Sequence, residues 1–202
     1  MIATEVSPVT YPARPMRGGS IKPGFKQLPG VWAYEPKLNG WRTLVHMPTG
    51  AMFNRHLEPL TIADEFQPVL DALTRTHGVP EWLDCEALER RHGLGRGTLV
   101  VLDMVAPGLT YTQRHARLMS LLPILEWTKQ PEHDSVYVTD SIIPNKGGEP
   151  WLFEQLQKKN KEWGCQFYEG LVAKQLNSLY PMQLNHPEQP FPGWLKHRWQ
   201  WS

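Results

Sequence analysis

The sequence predicts an α+β domain of antiparallel sheets flanked by helices. Two observations carry that reading: strand-like segments outnumber helical ones, and the two kinds are interleaved without the regular β-α alternation of a parallel fold. A third supports it: the chain shows neither an internal repeat nor a low-complexity tract. At 202 residues with 41% hydrophobic and 20% charged side chains, it can bury one sizeable core. Its 16 glycines and 19 prolines imply many turns between the elements.

Residues 1–30 are rich in proline and glycine with scattered basic residues, and read as an extended arm lying on a domain that spans 31–202. Trp41–Met47 mixes aromatic and β-branched residues and meets a Pro48-Thr49-Gly50 turn, so Ala51–Asn54 is expected to return as its hairpin partner. Thr61–Arg75 reads as a helix capped by Thr61, with Phe66, Val69, Leu70 and Leu73 on one apolar face. Pro68 either kinks that helix or marks a later start. Trp82–Leu88 and Thr98–Val105 are strands, the second nearly unbroken in its apolar run, as for a strand covered on both faces. Tyr111–Leu122 is helical and Val136–Ile143 is a strand. Glu149–Gly164 reads as an amphipathic helix with Trp151, Leu152, Leu156 and Trp163 inward, Lys158 to Lys161 outward, and Gly164 as its stop. Phe167–Lys174 and Trp194–Trp199 complete the strands.

Several function classes are excluded. Every apolar run is interrupted well short of the ~20 residues of a membrane-spanning helix, so no membrane role is expected. Met1–Ser20 has no apolar signal-peptide segment, which predicts a cytoplasmic protein. Cys85 and Cys165 form no disulfide framework and match no zinc spacing with the histidines. The net charge of +1 does not by itself announce a nucleic-acid binder.

The most informative stretch is Glu35-Pro36-Lys37-Leu38-Asn39-Gly40-Trp41-Arg42. A lysine amine attacks an electrophile only when deprotonated, so a nucleophilic lysine needs burial or neighbouring cations. The glycine lets backbone approach a ligand closely. Alone, the pattern also describes a surface lysine before an Asn-Gly turn. Further segments add weight. Asp84 and Glu86 lie two apart on one strand, hence on one face. Glu169 and Lys174 bracket an apolar stretch, and Lys196 and Arg198 share a strand face.

Taken in order, these segments resemble the collinear motifs of the adenylation domain of ATP-dependent polynucleotide ligases, covalent nucleotidyltransferases related to mRNA capping enzymes. Lys37–Arg42 resembles the Lys-x-Asp-Gly-x-Arg motif, Phe53-Asn54-Arg55 a Ser-Arg-type segment, and Leu83–Leu88 the Leu-Asp-Gly-Glu-Leu motif. Leu99–Val105 resembles an aromatic-rich strand ending in Asp. Glu169–Lys174 is similar to Glu-Gly-Leu/Val-Val/Met-x-Lys, and Trp194–Arg198 to Trp-Leu-Lys-x-Lys. The likeness runs from about Val31 to Trp199 and leans toward DNA ligases.

The resemblance implies an ATP-grasp-like nucleotidyltransferase domain using ATP and Mg2+. Lys37 would attack the α-phosphate and form lysyl-AMP, which would then activate a 5′-phosphate for joining to a 3′-hydroxyl in nicked duplex DNA. Glu35, Arg42, Glu86, Leu102, Val172, Lys174, Lys196 and Arg198 would bind the nucleotide. Arg55 would sense the 5′-phosphate, because guanidinium grips phosphate bidentately. Glu169, with Asp84, would hold the metal.

Departures from the pattern are Asn39 for Asp, Cys85 for Gly, Leu102 for an aromatic, and Arg198 for Lys. The chain ends shortly after the last motif, so the expectation is a minimal monomeric form without an OB-fold domain, slow alone and completed by a separate OB-fold or clamp protein. An encoding phage or virus would suit so compact a form. Three readings stay open at this level: a DNA ligase, an RNA-ligase or capping-type transferase, and a fold that binds nucleotide or nucleic acid without turnover.

Overall fold

The computed structural model describes residues 18–20, 28–56, 58–88, 93–144, 148–181 and 191–199. Apart from β1 (Gly18–Ser20), which pairs in parallel with the last strand, the expected arm of residues 1–30 lies mostly outside the described residues. The rest folds as two sheets.

The first is four-stranded, ordered β1-β10-β9-β2, with the central β9 (Tyr168–Gln175) antiparallel to both β2 (Trp32–Leu38) and β10 (Phe191–Arg198). The second has six strands, ordered β4-β3-β5-β6-β8-β7. It comprises β3 (Trp41–His46), β4 (Ala51–Phe53), β5 (Trp82–Leu88), β6 (Thr98–Met104), β7 (Ile124–Leu125) and β8 (Val136–Thr139). The architecture is the expected α+β. Beside the antiparallel ladders, β8 pairs in parallel with both β6 and β7.

Alternation along the strands divides the interior. Val45, Leu83, Cys85, Leu99, Val101 and Val138 face α1 (Gln67–Arg75) and α2 (Tyr111–Met119), where Phe66, Val69, Leu70, Leu73 and Leu118 meet them. Burying such a side chain contributes about 1.5–3 kcal/mol. The opposite face of the larger sheet supplies Leu88 and Val100 to a second core with Tyr34, Leu38, Tyr168 and Leu171, closed by Leu152 and Leu156 of α3 (Glu149–Trp163).

The helices refine the sequence reading. Thr61 caps nothing: a 3-10 turn at Ala63–Phe66 comes first, and α1 begins with Pro68 in its first turn, where a missing N–H costs no helical bond. α2 starts at a Thr110–Gln113 capping box and ends earlier than expected. α3 stops at Gly164, whose φ of 65° is the left-handed cap. Its faces need two corrections. Trp151 is 59% exposed rather than inward, and Asn160, expected outward, is buried and exchanges hydrogen bonds with the backbone of Tyr168. The strand expected over Val136–Ile143 ends at Thr139.

β2 went unread in the sequence because Pro36 interrupts it. The proline is tolerated because β2 is an edge strand. The short β7 carried no signal either.

Candidate active site

Between the sheets lies a cavity of about 430 Å3. One wall comes from the smaller sheet. Register places Glu35 opposite Val172, Lys37 opposite Gly170, and Lys174, Val172 and Gly170 opposite Trp194, Lys196 and Arg198. Glu35, Lys37, Val172, Lys174, Trp194, Lys196 and Arg198 therefore line one surface of the cavity. Trp41, Arg42, Glu86 and Leu102 form the other wall, and Asn54, Arg55 and His56 stand at the rim.

Alternation alone would turn Glu169 away from this surface. A bulge prevents that. Lys37 pairs with Gly170 and Leu38 with Tyr168, so Glu169 is the extra, unpaired residue. Gly170 adopts φ 149°, and a Cβ there would sit 1.9 Å from the carbonyl oxygen of His197, so only glycine fits. The result brings Glu169 Oε1 into the cavity, where it accepts hydrogen bonds from Lys37 Nζ and, at 3.0 Å, from Arg198. Gly40 serves similarly. Its N–H donates to Glu86 Oε1 at 3.0 Å, and a Cβ would approach the Ala87 carbonyl to 2.6 Å.

A second bulge, in β6, leaves Leu102 unpaired between Val101 and Asp103. Its carbonyl accepts from Lys174 Nζ at 2.6 Å, while Lys174 also pairs with Glu35 at 2.8 Å. Tyr111 donates to Glu35 at 2.6 Å. Burial pushes the Glu35 carboxyl up to about 7 against the opposing pull of Lys174. Glu86 is likewise pushed up to about 7 by burial, with Lys37 and Arg42 opposing.

Of the residues expected to bind nucleotide, all eight line the cavity, and so do Lys37, Arg55 and Glu169. Asp84 does not. It is fully buried behind Arg42, which grips it through two nitrogens at 2.9 and 2.5 Å, and Tyr180 donates to it at 3.0 Å. A carboxylate so committed has no place in a metal shell, so the expected metal role of Asp84 is corrected to that of an anchor for Arg42. Lys174 lines the cavity with its ammonium held by Glu35 and the Leu102 carbonyl.

Among the described residues, no three His, Cys, Asp or Glu side chains converge as a metal cage. Magnesium usually takes one or two carboxylates plus phosphate and water oxygens. Glu169, a hard oxygen donor among cations that attract phosphate, fits that demand.

Sequence reasoning assigned no role to Trp194, Trp41 or His56. Trp194 stands two residues before Lys196, hence on the same strand face, and that spacing was a usable signal. Arg55 donates to His56 Nε2 at 3.0 Å, a contact that spacing does not reveal.

These two sheets with the cavity between them form the fold of the nucleotidyltransferase domain of DNA ligases. The similar solved structures include a mycobacterial DNA ligase D complexed with ATP and MES, at 20% identity over 92% of this chain and 60% of that one, TM-score 0.57. The ligase domain of M. tuberculosis ligase D is 21% identical over 92% of this chain and 59% of that one, TM-score 0.58. A Chlorella virus DNA ligase-adenylate is 12% identical over 93% of this chain and 69% of that one, TM-score 0.63. The chain thus spans about 60% of the length of the ligase D chains. Neither a protein-family profile nor a curated protein sequence matches it.

Proposed function

We propose that the chain is an ATP-dependent adenylyltransferase of the DNA-ligase type, with Lys37 as its nucleophile. One observation carries the reading: a lysine whose amine sits in a cavity between two sheets, against Glu169 and beside Lys196 and Arg198. Lys196 and Arg198 would receive the α-phosphate and stabilise the charge that grows as it is attacked. The Lys37 amine, having shed a proton to solvent, would form the P–N bond while the bond to pyrophosphate breaks. Lysyl-AMP results. A 5′-phosphate oxygen would then take the AMP, and a 3′-hydroxyl would displace it as the strand closes. Bound magnesium would draw charge from the phosphate oxygens, and Glu169 would hold it. Glu86 and Arg42 would face the sugar, with Leu102 and Val172 bracketing the base. Arg55 at the rim would meet the acceptor phosphate in nicked duplex DNA.

The test is covalent labelling. Protein incubated with Mg2+ and α-labelled ATP or GTP, with and without a separate OB-fold protein, is expected to retain label from ATP, and Lys37→Ala to retain none. A chase with nicked DNA or nicked RNA reads the acceptor. Label from GTP alone would move the reading to a capping-type transferase. No label under any condition would overturn it.

A further inference from the structure

The cavity floor contains an arrangement that the adenylylation chemistry does not use. Trp194 is 3% exposed, and among the described residues its Nε1 meets no hydrogen-bond acceptor. A buried tryptophan ordinarily spends that N–H on a partner. What Trp194 offers instead is its face. The Lys174 ammonium lies 4.2 Å from the ring centroid and the Arg42 guanidinium 5.5 Å from it. Both fall within the ~6 Å reach of a cation–π contact. The cations come from different sheets, Lys174 from β9 and Arg42 from β3. Each is held from behind by a buried carboxylate, Glu35 for Lys174 and Asp84 for Arg42. Those carboxylates are steadied in turn by Tyr111 and Tyr180.

Carboxylate and indole bear on the same charged head group from different directions, the carboxylate by ion pairing and the ring by its face, so the ring narrows the orientations that the ion pair alone permits. Removing the ring would leave Lys174 on Glu35, the Leu102 carbonyl and the face of Tyr111, and Arg42 forked onto Asp84, each without the aromatic surface that spans the two sheets. We propose that Trp194 is a positioning residue for the nucleotide: its ring sets Lys174 and Arg42 across the two sheets, and acts on substrate only through them. The proposal rests on the cavity being a nucleotide site, as in the preceding section.

The experiment measures ATP affinity by calorimetry in the full chain, well below the melting temperature, for Trp194→Phe, Trp194→Leu, and a chain carrying tetrafluorinated tryptophan at position 194. The fluorinated ring keeps the indole's shape and strips negative charge from its face. Affinity is expected to stay within about threefold for Trp194→Phe and to fall roughly 5- to 30-fold for Trp194→Leu and the fluorinated chain, the range of one to two cation–π contacts. In labelling assays the loss should enter KM more than kcat. Ring-current shifts on the Lys174 side-chain protons, present in the native chain, should vanish in Trp194→Leu. If the fluorinated chain binds ATP as the native chain does, the ring is only filling space and the proposal is overturned. If the native chain binds no ATP while the Lys174 shifts are present, the nucleotide reading fails instead, and the proposal falls with it.

Discussion

The floor and the rim of the cavity are built from the same ingredients, lysine or arginine against a carboxylate, yet they are physically opposite. At the floor, Glu35, Lys174 and Asp84 are at most 1% exposed, and each charge is met by an ion pair and a further hydrogen bond. At the rim, the Lys37 and Glu169 side chains are 16% and 12% exposed and that of Arg198 is 55% exposed. A buried charge stripped of its partner costs several kcal/mol, whereas an exposed pair contributes little. Permanence therefore belongs to the floor. Arg198, more than half exposed, can exchange partners at small cost, which a site that must accept and release phosphate requires.

The largest contrast should come from Lys37→Ala: complete loss of covalent label, with stability to urea essentially unchanged. Asp84→Ala should do the reverse in kind. It removes the fork that holds Arg42 and leaves the buried Tyr180 hydroxyl without its acceptor, at a cost of about 1–3 kcal/mol read as a lower urea midpoint. A floor that tolerated this change would erase the distinction between the two regions.

Titration sharpens it further. Glu86 is held at about 7 in the folded chain against 4.5 ordinarily, so between those values the folded state binds more protons than the unfolded one. Its contribution to stability is therefore lost as pH rises from about 4.5 through 7. Glu86→Gln, which keeps an acceptor for Gly40, should reduce that slope in urea melts at stepped pH, leaving the share of Glu35, which is raised to the same value. His115 has the opposite sign. Burial, with Lys174 adding to it, lowers His115 to about 4 from 6.5, so stability falls as pH drops through that interval. His115→Gln should remove this acid sensitivity. The smallest effect on stability belongs to Arg198→Ala, under about 1 kcal/mol for so exposed a partner. Its effect on labelling rate should still be a drop of about tenfold or more, as expected for a cation lost from a phosphate site.

Much of this was readable in advance. Two-residue periodicity put Lys196 with Arg198 on one face, and the apolar spacing of Phe66, Val69, Leu70 and Leu73 marked a buried helical face correctly. The errors have common causes. Trp151 and Asn160 were placed by hydrophobicity, but Asn160 is buried because two backbone groups of Tyr168 need partners there. Asp84 shares a face with Glu86, yet Arg42 comes between it and the cavity, and no spacing along one strand reports what a neighbouring strand inserts.

Local pattern thus settled most of the strands (though not β2 or β7), which lysine stands before a close-approach glycine, and which side chains share a strand face, because those depend on periods of two and on backbone sterics within a few residues. Pairing register settled the rest. The bulges at Glu169 and Leu102 turn a carboxylate toward Lys37 and a carbonyl toward Lys174, and a one-residue slip is a property of two strands together. The depth at which each charge lies, and so whether it is an anchor or a working group, depends on how the two sheets close over it.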